Sequence, residues 1–153
     1  MYYEEFEIGQ QFVLEPRTMP AEEIEQFARR YDPQWLHIDP DSAEQGPFRG
    51  IIASGFHTVS AVWGQWIESG HLGRQSVGGT GLSSLRWLYP VRAGDVLRTT
   101  AEVVSKVPSA RGSRGAVTIR FETVNQDGKL VMTCEGTGLI QARNPVAPGA
   151  GNA

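Results

Sequence analysis

Apolar positions along the chain fall into two regimes, a helical period before residue 79 and an alternating one after it. Residues 19–31 open on Met19 and Pro20, carry Glu22, Glu23 and Glu25 early and Arg29 and Arg30 late, and repeat Ile24, Phe27, Ala28 and Tyr31 on one stripe. Proline in the first turn, acids near the start and bases near the end all favour an amphipathic helix there. Residues 50–67 form the most apolar run, with Ile52, Phe56, Val59, Trp63, Trp66 and Ile67 spaced around Ala53, Ala61 and Gly64. This pattern predicts a helix enclosed almost all round, ending near Ser69-Gly70. His57, Gln65 and several small polar residues interrupt the run, which argues against a membrane span.

Beyond residue 79 the pattern predicts strands over 80–89, 95–107, 115–125 and 129–141, divided by Gly, Pro and Asp signals. Val117, Ile119 and Phe121 alternate with Thr118, Arg120 and Glu122, as in a strand with one buried face, and Asp127-Gly128 marks a tight hairpin turn. Another strand is expected within residues 6–14. The sum is an α+β domain over residues 1–144 whose second half is mostly antiparallel sheet. Residues 145–153 hold too little apolar surface to pack and read as a loose tail.

Composition narrows the class. The chain has 153 residues, 40% of them hydrophobic, enough for one core and no second catalytic domain. A net charge of -3 without a long basic block speaks against nucleic acid as a partner. Cys134 is the one cysteine, so no internal disulfide forms, and its alternation with Met132 and Gly136 makes it a packing residue. Glu4, Glu5 and Glu7 stand where a secretory signal would need basic and then apolar residues, which points to the cytoplasm.

Candidate chemistry concentrates in Tyr31-Asp32-Pro33-Gln34-Trp35-Leu36-His37 and in the run Gly50 to His57. Pro33 disfavours helical geometry at Asp32, placing this acid at a chain break. An acid and an imidazole five residues apart can converge on one water, and a glycine-rich helix entrance can offer backbone N–H groups to a developing oxyanion. Alone, the same pair reads equally as a turn-former and its hydrogen-bonding neighbour. His57 reads as a partly buried structural histidine. Asp39 and Asp41 flank Pro40 as the N-terminal acids of another short helix; no His/Cys cluster supports a metal site. Gly78-Gly79-Thr80-Gly81 precedes a strand rather than following one, so a flexible loop is expected there and not a phosphate cradle.

A long enclosed helix followed by long antiparallel strands suggests a sheet wrapped around a helix, the hot-dog fold. The segment from Phe27 to Asp39 resembles the catalytic segment of MaoC-like dehydratases, the group that includes (R)-specific enoyl-CoA hydratases. Phe6 to Gln10 resembles the family's opening, Ile52 to Thr58 its central-helix entrance and Leu85 to Asp95 its strand-turn-strand segment, so the resemblance spans about residues 3–142. It implies hydration of a trans-2-enoyl thioester, or the reverse dehydration, giving the (R)-3-hydroxyacyl product. The resemblance assigns acid-base work to Asp32 and His37, with the proton carried by either, and oxyanion donation to the Gly55 N–H. Ser54, Phe56, Trp63 and Arg86 are then the expected substrate-binding residues. No cofactor or metal is implied beyond the coenzyme A thioester itself as substrate, whose phosphates Lys106, Arg111 and Arg114 could meet, a solvated loop being the competing reading. A homodimer or a dimer of dimers, with the site where two subunits meet, follows from the same resemblance.

Two positions depart from the specific hydratases. Those read Asp-x-Asn-Pro-Leu-His where this chain has Asp32-Pro33-Gln34-Trp35-Leu36-His37, and they carry a serine eight residues after the oxyanion glycine, where Trp63 stands here. These changes leave the acid and base in place and put the identity of the acyl group in question. Two other functions share the fold: an acyl-CoA thioesterase, whose usual acid on the central helix is matched only by the distant Glu68, and a non-catalytic acyl-thioester-binding protein.

Overall fold

Turn residues divide the chain into short elements first and long strands later, and the computed structural model describes residues 1–110 and 112–144. The expected tail and Arg111 lie outside the described residues. In chain order the elements are β1 (Gln11–Val13), β2 (Arg17–Thr18), α1 (Ala21–Tyr31), α2 (Trp35–Ile38), α3 (Pro40–Gln45), α4 (Gly55–Glu68), β3 (Ser76–Trp87), β4 (Val96–Pro108), β5 (Arg114–Val124) and β6 (Leu130–Gln141). The strands pair antiparallel in the order β1-β4-β5-β6-β3, and β2 also pairs with β4.

The alternation in β5 sets its inner face: Val117, Ile119 and Phe121 are buried while Arg120 and Glu122 are exposed. Gly128, at φ +73°, completes the turn into β6, where Asn125 Oδ1 accepts from the Asp127 and Lys129 N–H groups. The inner face packs on α4, the central helix of this hot-dog fold. Trp66 of α4 is 1% exposed and sits edge-on to Phe12 and Phe121, with ring centroids 5.4 and 5.9 Å apart. Gln65 is the polar exception on this buried surface. Its Nε2 donates to the carbonyls of Glu15 and Leu97, and its Oε1 accepts from Thr99 Oγ1 at 2.9 Å, so no polar cost is left unpaid where α4 meets β4.

Three boundaries differ from the sequence pattern. The central helix begins at Gly55, because the preceding apolar residues are extended and bond elsewhere: the Ile52 N–H to the Leu36 carbonyl and the Ala53 N–H to the Val91 carbonyl. Gly78 to Gly81 is part of β3, not a loop; its backbone pairs with Leu139, Gly138 and Thr137 of β6 although it lacks a side-chain pattern. Within residues 6–14 only Gln11–Val13 is strand. The short helix after Asp39 is present as α3, with the Asp39 side chain accepting from the Ser42 N–H. Among the described residues no helix is long and apolar enough to cross a membrane.

Candidate active site

Asp32 follows the last residue of α1, at φ -153° and ψ 69°, a conformation outside the helix that Pro33 enforces. The chain then turns through α2, which carries His37 back toward Asp32. His37 Nε2 lies 3.3 Å from Asp32 Oδ2, with the side chains 6% and 14% exposed. The other ring nitrogen, Nδ1, lies 2.7 Å from the carbonyl oxygen of Ile52. A carbonyl only accepts, so Nδ1 carries a proton in both charge states and Nε2 is the atom that gains or loses one.

The Asp32 carboxylate is held at both oxygens. Ser54 Oγ donates to Oδ2 at 2.7 Å and Gln34 Nε2 donates to Oδ1 at 2.7 Å. These bonds, Ser54's first, keep the carboxyl below its usual range against the opposing effect of burial. Asp32 is therefore an anion in direct contact with the His37 nitrogen that can exchange a proton, and a water bound beside both atoms would lie within reach of that nitrogen.

Gly55 opens α4, and the N–H groups of a helix's first turn have no intrahelical acceptor. They carry the positive end of the helix dipole into the same cleft. Ser54 is the N-cap, its Oγ accepting from the Phe56 N–H at 3.2 Å. Trp87 covers the opening turn from the sheet side: its indole N–H donates to the Gly55 carbonyl at 2.9 Å, and Phe56 meets the ring edge-on at 5.4 Å. Asp32, His37, Gly55, Phe56, Trp87 and Tyr89 line one cleft of about 330 Å³. That arrangement can bind a carbonyl compound, stabilise an oxyanion and move one proton.

Of the expected site residues, Asp32, His37, Gly55 and Phe56 meet in this cleft. Ser54 does not line it: at 0% exposure it has no surface for a ligand and faces Asp32 instead. Trp63 lines a second, largely apolar groove of about 410 Å³ between α4 and strands β3, β5 and β6. Arg86 is exposed on β3 and lines neither space. The Lys106 ammonium is occupied by the Phe6 carbonyl and by the Tyr3 ring 4.5 Å away, and Arg114 is exposed at the start of β5. Sequence reading missed Trp87, Gln34 and the carbonyl of Ile52; Ile52 lies fifteen positions from His37 and Trp87 thirty-two from Gly55, separations that no local periodicity reports.

His57 sits on the far side of the first turn, 8% exposed and stacked on Phe27 of α1 at 4.8 Å and 10°. Among the described residues its Nδ1 has no hydrogen-bond partner, and burial pushes its pKa down. This is the packing histidine expected from its position. Cys134 is buried and its thiol is pushed up to about 11 by burial, which makes it a poor nucleophile. Among the described residues no group of three or more His, Cys, Asp or Glu side chains converges in the way metal ligands do.

Known proteins resemble this chain in sequence and in fold. The family model of the MaoC like domain matches residues 5–125. The uncharacterized protein YdeM of Bacillus subtilis is 38% identical over 141 residues, covering 92% of this chain and 99% of that protein. The 3-hydroxyacyl-thioester dehydratase Z of Mycobacterium tuberculosis is 29% identical over 126 residues, 81% of this chain and 82% of its own. A crystal structure of the MaoC-like dehydratase from Rhodospirillum rubrum superimposes with a TM-score of 0.86 at 31% identity, covering 94% of this chain and 99% of that one. With the match extending over most of its length and through its fold, the chain belongs to the MaoC-like dehydratase family.

Proposed function

We propose that the protein hydrates the double bond of a trans-2-enoyl thioester, or runs the reverse dehydration of an (R)-3-hydroxyacyl thioester. The observation that carries this reading is the His37 ring, held by the Ile52 carbonyl so that its Nε2 faces the Asp32 carboxylate in the cleft that Gly55 opens. The MaoC-like family and the dehydratase relative support it at the level of reaction class.

In this mechanism Asp32 stays ionised and holds a water against His37 Nε2. Neutral Nε2 takes a proton from that water as its oxygen attacks C3, and the alkene electrons move onto the thioester oxygen as an enolate. The Gly55 N–H donates to that oxygen. The imidazolium, stabilised by Asp32, then returns its proton to C2 on the same face, giving syn addition of water and restoring neutral His37. Dehydration is the same path reversed.

The groove beside Trp63 suits the far end of the acyl group. Its walls are largely apolar, and the Trp63 indole, edge-on to Phe121 with centroids 6.3 Å apart, forms part of them. We assign the working unit to a homodimer. β3 ends the sheet and exposes Val77 and Leu82, and a second copy pairing along this edge would cover them.

Hydrolysis of the thioester, the main alternative, finds less support. Glu68 pairs with Arg17 at 2.5 Å, thirteen residues along α4 from Gly55, or about 20 Å of helix. Incubation with crotonyl-CoA, following both the conjugated enoyl absorbance and free thiol, tests the choice. Loss of absorbance without thiol release is the expected result; thiol release with the alkene intact would replace hydration by hydrolysis.

A further inference from the structure

Building on the hydratase reading, we propose that Ser54 is a positioning residue for the reaction, its hydroxyl tying the Asp32 carboxylate to the first turn of α4. The Phe56 N–H can only donate, so it takes a lone pair of Ser54 Oγ at 3.2 Å. An ionised carboxylate can only accept, so the Ser54 hydroxyl proton points at Asp32 Oδ2, 2.7 Å away. Both ends of the hydroxyl are thus spent, and with 0% exposure Ser54 touches no ligand.

The bond falls on a consequential atom. Oδ2 is also the oxygen 3.3 Å from His37 Nε2, so Ser54 sets where the anion sits relative to the proton-carrying nitrogen. The terminal torsion of an aspartate is soft, and two donors on its two oxygens fix the carboxylate plane. Gln34 supplies the second donor from an exposed position, whereas Ser54 supplies its own from the interior. Because the same hydroxyl caps α4, the acid and the oxyanion-binding Gly55 N–H are set by one hydrogen-bonded unit. The low pKa of Asp32, for which the Ser54 bond is the largest cause, agrees with this role.

Two variants test it, Ser54→Ala and Ser54→Gly; glycine serves well as an N-cap, so the second removes the hydroxyl with little harm to the helix start. Two readouts apply to each: titration of the Asp32 carboxyl carbon by NMR, and kcat and KM for crotonyl-CoA hydration. Both variants should titrate Asp32 at higher pH than the wild type and lose roughly 10-fold in kcat near neutrality, with a smaller change in KM. Asp32 titrating as in the wild type in both variants, or kcat unchanged in both, would overturn the proposal. A wild-type protein that hydrates no enoyl thioester would sink the hydratase reading instead, and the NMR titration would still decide the Ser54 contact.

Discussion

The indole of Trp87 lies so close over Gly55 that a Cβ built on the glycine would fall 2.3 Å from Cε2 and 2.6 Å from Nε1. No residue but glycine fits there while Trp87 keeps its bond to the Gly55 carbonyl. Gly55→Ala should therefore displace the indole, seen as a change in tryptophan fluorescence and a loss of stability of roughly 1–3 kcal/mol. Trp87→Leu in the same chain should recover most of that loss. Equal loss in the single and double variants would show that the clash is not what requires glycine.

Asp32 carries a pH signature. Its folded pKa is lowered by the Ser54 and Gln34 bonds, so it contributes stability that is fully present above the ordinary aspartate value, about 4, and is lost as pH falls through the lower folded value. Asp32→Asn should be less stable than wild type near neutrality, with the gap closing in urea unfolding as pH drops below about 4. A gap that stays constant with pH would mean that the carboxylate is not held by these donors.

His57 shows the same sign for a buried imidazole, from a different cause. Burial outweighs the attraction of Glu23 and lowers its folded pKa, so the unfolded chain protonates first. Stability is full above the ordinary histidine value, about 6.5, and declines as pH falls toward the lowered folded value. His57→Phe, which keeps a ring against Phe27, should remove this part of the decline and leave hydration unchanged. A large fall in turnover with the fold intact would move His57 into the catalytic set.

Trp63 should govern acyl length. Its ring reaches to 3.5 Å from where a Cβ on Gly136 would sit and narrows the groove between α4 and β6. Trp63→Ser should raise kcat/KM for octenoyl-CoA relative to crotonyl-CoA by roughly 10-fold or more, since each methylene in an apolar pocket is worth that order. An unchanged ratio would place the acyl chain elsewhere.

Much of this architecture is written in local patterns. The stripe Ile24, Phe27, Ala28, Tyr31 yields α1, although only Ile24 and Ala28 are buried and Tyr31 is 64% exposed, and the alternation from Val117 to Phe121 yields β5, whose inner face burial decides. Asp32 and His37 were legible through their segment and through Pro33. Gly78 and Gly79 were not legible as strand, since glycines carry no alternating side chains, and β3 is further broken by register shifts and by Ser84 at φ +52°. The first residues of the apolar run at 50–54 mislead for another reason: apolar character records burial, and only the cap at Ser54 marks where helix begins. The contacts that define the site, Ser54 to Asp32 and His37 to Ile52, join segments twenty-two and fifteen residues apart, and only the folded chain brings them together.

Hydration of crotonyl-CoA and longer trans-2-enoyl-CoAs, compared between wild type, Asp32→Asn and His37→Ala of confirmed fold, addresses the acid-base pair most directly. The predicted result is turnover by the wild type and a fall of roughly 10²–10⁴-fold in each variant, the usual loss for a general acid-base group. Wild-type rates in either variant, or no loss of enoyl absorbance by the wild type at any chain length, would contradict it.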